Sequence, residues 1–248
     1  MKYASVNGER REAEPKLLGG TCPNCDREMI AKCGPTRMWH WSHKGKLECD
    51  HWWEPETEWH RNWKGLFPKE WQEIIHKAED GERHIADVKN SNGIVLELQH
   101  SRIDPAERLS RERFYGRMVW IVDGRRLKRD LPAFHDALEY GRIVKDKPLT
   151  VSSPLMARPA GIFRRWAPIH CPVFVDFGDE EFTIGRLRCP EPVLWQLQLH
   201  PRTGEVVVAA AVRESFKRWF GEGGELRHFH VKSEPPPPTR GRYRSRRF

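Results

Sequence analysis

Asp87 and Glu97 flank Ser91-Asn92-Gly93, a loop suited to closing a β-hairpin with glycine in the left-handed position. With that loop Asn90 faces Ile94, and Asp87 therefore faces Glu97. Side chains alternate along a strand, so Gln99 shares the face of Glu97 while Leu96 and Leu98 turn to the core. Two carboxylates directly opposite each other destabilise a sheet unless a cation lies between them. Hard oxygen ligands suit Mg²⁺ or Mn²⁺, which polarise a phosphodiester and make hydroxide available near neutral pH. The competing reading pairs the two acids with Arg83 and Lys89 on a solvent face.

A second group of residues offers softer ligands. Cys22-Pro23-Asn24-Cys25 and, further on, His40 and His43 supply four donors of the kind that closes a tetrahedral zinc site. Cys33, Cys49 and His51 compete for the same role. Cys171 and Cys189 read as buried thiols. A metal would stabilise residues 1–53, which have little hydrophobic periodicity of their own.

Several elements must position these groups. Residues 54–67 read as a helix, with Pro55 in its first turn and Trp59, Trp63, Leu66 and Phe67 as an apolar stripe. On that helix Glu56, His60 and Lys64 fall at four-residue steps and share a side. This makes Glu56, with Glu58 as its rival, the third carboxylate and His60 its polar partner. Residues 71–78, 83–89 and 94–100 read as three strands of a meander, joined at Glu79-Asp80-Gly81 and Ser91-Asn92-Gly93. Asp104-Pro105-Ala106-Glu107 opens a helix over 105–116, and Met118–Val122 follows as a buried strand. Arg111 and Tyr115, four apart on this helix, either contact a phosphate or lock the helix onto the sheet, and Lys64 and Lys89 are further candidates for touching phosphate. The order helix, three strands, helix, strand describes a mixed α/β sheet layered by helices.

The expected organisation is a Cys/His module over 1–53, a core over 54–149, a β-rich domain over 150–232 and a disordered basic tail over 233–248. A formal charge of +8 on 248 residues favours a polyanionic partner such as DNA. No apolar run approaches the roughly 20 residues of a membrane span, and the N-terminus lacks a secretory pattern, so the expected location is cytoplasmic. The eleven tryptophans read chiefly as core filling.

Glu56-Thr57-Glu58-Trp59-His60, Lys64, Ile85-Ala86-Asp87-Val88, Glu97-Leu98-Gln99-His100-Ser101, Arg111 and Tyr115 together resemble the competence protein CoiA-like nucleases of the PD-(D/E)xK superfamily. The CPxC pair and the histidine segment at 40–43 resemble that family's N-terminal pattern, and the likeness spans about residues 20–122. It implies an αβββαβ nuclease core, with Asp87 and Glu97 holding the catalytic metal. Gln99 then stands where the superfamily usually carries lysine, and a neutral amide cannot supply positive charge to a transition state. Lys64 and Lys89 are the substitutes at hand. The implied function is metal-dependent DNA cleavage in uptake, recombination or phage-related processing, with a recombination or phage protein as an expected partner. The rival readings are a non-catalytic zinc-containing nucleic-acid-binding protein and a partner-docking protein.

Overall fold

The computed structural model describes residues 1–17, 19–45, 49–157, 161–184, 187–189, 191–200 and 202–228. The expected tail over 233–248 lies outside them. Five short strands, β1 (Tyr3–Val6), β2 (Glu9–Glu12), β3 (Gly20–Thr21), β4 (Glu28–Lys32) and β5 (His40–His43), form an antiparallel sheet in the order β2-β1-β3-β4-β5. Asn7 and Gly8, both at positive φ, make the two-residue turn between β1 and β2. This sheet covers a small core of Ala4, Ala13, Cys22, Met29 and Trp41. The Cys/His module is thus more regular than its sequence suggested, and Asn7-Gly8 was the available signal.

The first helix, α1, is shorter than expected, spanning Glu58–Gly65. Thr57 is its N-cap: Thr57 Oγ1 accepts from the His60 amide, and His60 Nδ1 accepts from the Thr57 amide at 3.2 Å. Histidine here does the work usually given to glutamate in a capping box. Glu56 and Pro55 consequently precede the helix, which corrects the placement of Glu56 on it. Pro68 follows the last turn and blocks continuation.

Beyond it come β6 (Gln72–Lys77), β7 (Arg83–Lys89), β8 (Val95–Gln99), α2 (Pro105–Tyr115), β9 (Met118–Asp123), α3 (Asp130–Glu139), β10 (Arg142–Asp146) and β11 (Leu149–Ser152). The last elements are α4 (Ile162–Trp166), β12 (Val173–Asp176), the β13 (Thr183–Ile184) and β14 (Leu187–Arg188) ribbon, β15 (Val193–Leu199), β16 (Val206–Val212) and α5 (Arg213–Glu222). One nine-stranded mixed sheet runs β10-β11-β16-β15-β12-β9-β8-β7-β6. Its parallel pairs are β8 with β9 and β9 with β12. The expected boundary near residue 150 does not interrupt this sheet, because β12, β15 and β16 extend it directly from β9. The strands beyond that boundary join the core through the parallel pair of β12 with β9, which leaves no local turn signal in the sequence.

The central strands are buried on both faces. Met118, Trp120 and Val122 of β9 pack with α2, α3 and α4, while Val119 and Ile121 pack with α1 and α5. Trp63 of α1 meets Phe216 of α5, and Phe67, just past the end of α1, meets Phe220. The indoles of Trp59 and Trp63 both donate to Asp176 Oδ2, at 3.0 and 2.8 Å. A carboxylate in β12 therefore fixes the helix that carries His60 and Lys64. Among the described residues no helix is long and apolar enough to cross a membrane.

Candidate functional site

The hairpin register is the one the loop predicts. Val88 pairs with Leu96 and Asn90 bonds to Ile94, with Gly93 at φ 75°, so Asp87 stands opposite Glu97. Toward Asp87 the strand pairing gives way to side chains. The Leu98 amide donates to Asp87 Oδ2 at 3.0 Å, and the Asp87 amide donates to Glu97 Oε1 at 3.2 Å. His60 Nε2 donates to the Leu98 carbonyl at 3.0 Å, so its Nδ1, which accepts from Thr57, is unprotonated. Asp87, Glu97, Glu56, His60 and Lys64 line one cavity of about 70 Å³ where the strands part.

The electrostatics of this cavity are polarised. Burial first, and then the Asp87 charge, push Glu97 up to about 8, against the pull of Arg111, whose Nη1 lies 3.2 Å from Glu97 Oε2. Lys64, only 3% exposed, contacts Glu56 and lies 3.0 Å from Glu73 and 3.8 Å from Asp87. Burial disfavours its charge, but these three carboxylates overcome that and hold it protonated. Burial likewise opposes ionisation of Glu56, yet Lys64 and Arg61 leave its carboxyl below the usual range.

Glu73 was missed. Gln72 pairs with Val88 and Ile74 with Ala86, which puts Glu73 opposite Asp87 and makes a row Glu73, Asp87, Glu97 across three strands. Its backbone sits at φ 47°, a strained value for a non-glycine residue. Its carboxylate accepts from the amides of Lys2 and Tyr3 as well as from Lys64. Burial opposes its charge, but Lys64, the N-terminal ammonium and the Lys2 amide pull it down to about 2. Nothing local in the sequence marks this conformation.

Other expected contacts fall elsewhere. Gln99 donates to Glu54 and to the Ser101 carbonyl, and its Oε1 is buried without a partner among the described residues. Arg111 and Tyr115, 5% and 6% exposed, wall the cavity from within and hold α2 against the sheet. Arg111 is held by Glu97, Glu107 and the Trp52 carbonyl at 2.7 Å, because the i, i+4 face of α2 points at the sheet. Lys89 donates to His76 at 3.0 Å, away from the cavity.

The soft ligands also converge. Cys22, Cys25, His43 and Cys49 place one donor atom each within 4.8 Å of every other. Cys22 Sγ lies 3.7 Å from Cys49 Sγ, and Cys25 Sγ lies 3.2 Å from His43 Nε2. Sulfurs bound to one tetrahedral zinc are separated by about this much, given Zn–S bonds of roughly 2.3 Å. The donor set fits zinc. His40 is not a member: its Nδ1 meets the Met38 carbonyl at 2.8 Å. Residues three apart on a strand point to opposite faces, so His40 and His43 of β5 cannot serve one ion, and Cys49 replaces His40. Burial pushes the Cys49 thiol up to about 12, a cost that a bound cation would remove. Cys171 and Cys189, outside the cluster, are also raised by burial, to about 12 and 11.

Residues 20–51 match the family model of the competence protein CoiA, N-terminal domain. The CoiA-like resemblance is borne out over this segment, which spans three of the five strands of the N-terminal sheet, β3 to β5, and contains all four cluster ligands. No curated protein and no solved structure matches the chain. Within the CoiA-type segment, Asp50 accepts from the Ile85 amide at 2.8 Å and meets His84 Nδ1 at 2.7 Å, joining the segment to β7 beside the acidic cavity.

Proposed function

We propose that the protein is a Mg²⁺- or Mn²⁺-dependent nuclease that hydrolyses DNA phosphodiester bonds, with a core of the PD-(D/E)xK kind. The observation that carries this reading is the meeting of Asp87 and Glu97 from facing strands in one cavity, with Glu97 raised to about 8 by burial and its neighbour. The order α1, β6, β7, β8, α2, β9 supports it, being the αβββαβ order that the resemblance implies. Two carboxylates and solvent suit a small hard cation, which keeps several waters. Such a cation, when bound, supplies Lewis acidity and a more acidic water.

The chain's own residues account for the rest. Asp87 and Glu97 would hold the ion, and Glu56 is the nearby third acid. Lys64, fixed as a cation beside Asp87, supplies the positive charge that Gln99 cannot. His60, donating to the Leu98 carbonyl, positions the opened edge of β8 and does not transfer a proton. Zinc on Cys22, Cys25, His43 and Cys49 would be structural, holding the N-terminal module together. DNA uptake, recombination or phage-related processing is the setting we infer from the CoiA-type N-terminal domain.

Linear and circular DNA incubated with the protein and Mn²⁺ or Mg²⁺ should be cleaved. Asp87→Ala should abolish cleavage with an unchanged circular dichroism spectrum. A wild type inert across metals and substrates would leave the second reading, a non-catalytic zinc-containing DNA-binding protein. The ion pairs Lys64–Glu73 and Arg111–Glu97, which already neutralise two of the acids, favour that alternative.

A further inference from the structure

The carboxyl ends of β8 and β9 open on another pocket, of about 430 Å³. In open α/β sheets this is the crevice where ligands collect. Five arginines line it against two carboxylates: Arg102 after β8, Arg126 and Arg129 after β9, and Arg164 and Arg165 from α4. Both carboxylates are engaged. Asp130 pairs with Arg165, and Asp123 accepts from the Arg125 amide at 2.8 Å and meets His100 at 2.7 Å. Arg102, Arg126, Arg129 and Arg164 are exposed, and none has a carboxylate partner among the described residues.

Four guanidinium groups around one concavity, none with a carboxylate partner among the described residues, repel each other. Their planar forks match phosphate oxygens. The pocket also adjoins the acidic cavity. Ser101 lines the pocket, and its amide donates at 3.3 Å to Glu54, which lines the cavity. The His100 ring lies 6.0 Å from that of His60, on the cavity side.

We propose that this arginine pocket binds backbone phosphates of a DNA strand and so holds the strand beside the acidic centre. The position of the strand rests on the nuclease reading; the binding itself does not. Phosphate contacts displace counterions, so each one steepens the fall of log K with log salt by roughly 0.9 on duplex DNA or 0.7 on a single strand.

The test is fluorescence anisotropy of a labelled oligonucleotide across a KCl series, using the full chain carrying Asp87→Ala. Adding Arg126→Gln with Arg129→Gln should flatten the slope by about 1.4 to 1.8. Removing two charges from the exposed edge strand, by Arg142→Gln with Lys145→Gln, should leave it unchanged. Equal slopes in the two double variants overturn the proposal, as does an effect that disappears once the 5′-phosphate of the oligonucleotide is removed. A flattened slope in a protein whose wild type cleaves nothing would keep this site and discard the nuclease.

Discussion

The Asp87 amide donates to Glu97 Oε1 at 3.2 Å while Asp87 Oδ2 accepts from the amide next to Glu97, that of Leu98, so the two acids occupy places a strand ladder would fill. Their closeness has a thermodynamic consequence. Glu97 ionises near 8 in the folded protein, against an ordinary 4.5, because it is buried and faces Asp87. The folded state therefore holds this proton more tightly than the unfolded chain. The resulting stability is complete below about pH 4.5 and is lost as pH rises to about 8. Thermal melts in EDTA should fall across this window, and Glu97→Gln should flatten the fall. At pH 8 Mn²⁺ should raise the melting temperature of the wild type and not of Glu97→Gln. Equal Mn²⁺ responses would remove Glu97 from the metal site.

Lys64 has two separable duties. As the cation buried among Glu56, Glu73 and Asp87, it offsets their repulsion, and Lys64→Met should cost about 3–5 kcal/mol by leaving buried charge unpaired. As the positive charge of the proposed reaction, it should also lower the cleavage rate of the folded fraction by roughly 10²-fold or more. Gln99→Ala, which removes a side chain turned to Glu54 and Ser101, should leave that rate within several-fold of wild type. Urea titration gives the first quantity and single-turnover cleavage the second. A Lys64→Met rate matching wild type per folded molecule would return the role to another group.

Local signals explain how much of this was legible. The loop Ser91-Asn92-Gly93 fixes a register, and a register fixes which side chains meet, so Asp87 and Glu97 could be paired from sequence. Asp104 before Pro105 likewise marked the start of α2. Glu73 escaped because its place in the row depends on a positive φ that no residue type announces. Asp176 escaped because its indole partners lie more than 110 positions away. The arginine pocket is assembled from two loops and one short helix, distant in sequence. α5 was also missed inside the expected β-rich region: Phe216, Trp219 and Phe220 repeat at helical spacing, but they follow directly on the apolar run of β16.

The zinc ligands separate cleanly by substitution. Cys49→Ser should remove bound zinc, about one ion per chain by atomic absorption, and should lower the melting temperature as a chelator does. His40→Ala should retain the ion, since His40 lies on the other face of β5 from His43. Zinc lost from His40→Ala and kept by Cys49→Ser would reverse the assignment.

Asp176 tests whether the distant half of the sheet controls the cavity. Its Oδ2 accepts both Trp59 and Trp63 indoles, and the residue is 1% exposed. Hydrogen bonds to a charged group contribute about 1.5–3 kcal/mol each, and an indole left buried without an acceptor adds a desolvation cost. Asp176→Ala should therefore destabilise the protein by about 3 kcal/mol or more in urea titrations. Because α1 also carries His60 and Lys64, the surviving folded protein should show exchange broadening of the His60 ring resonances by NMR. Asp176→Asn keeps one acceptor oxygen and should recover part of both effects. If Asp176→Ala melts like wild type, α1 is held by its apolar contacts with Phe216 and Phe220 alone, and the C-terminal strands do not position the site.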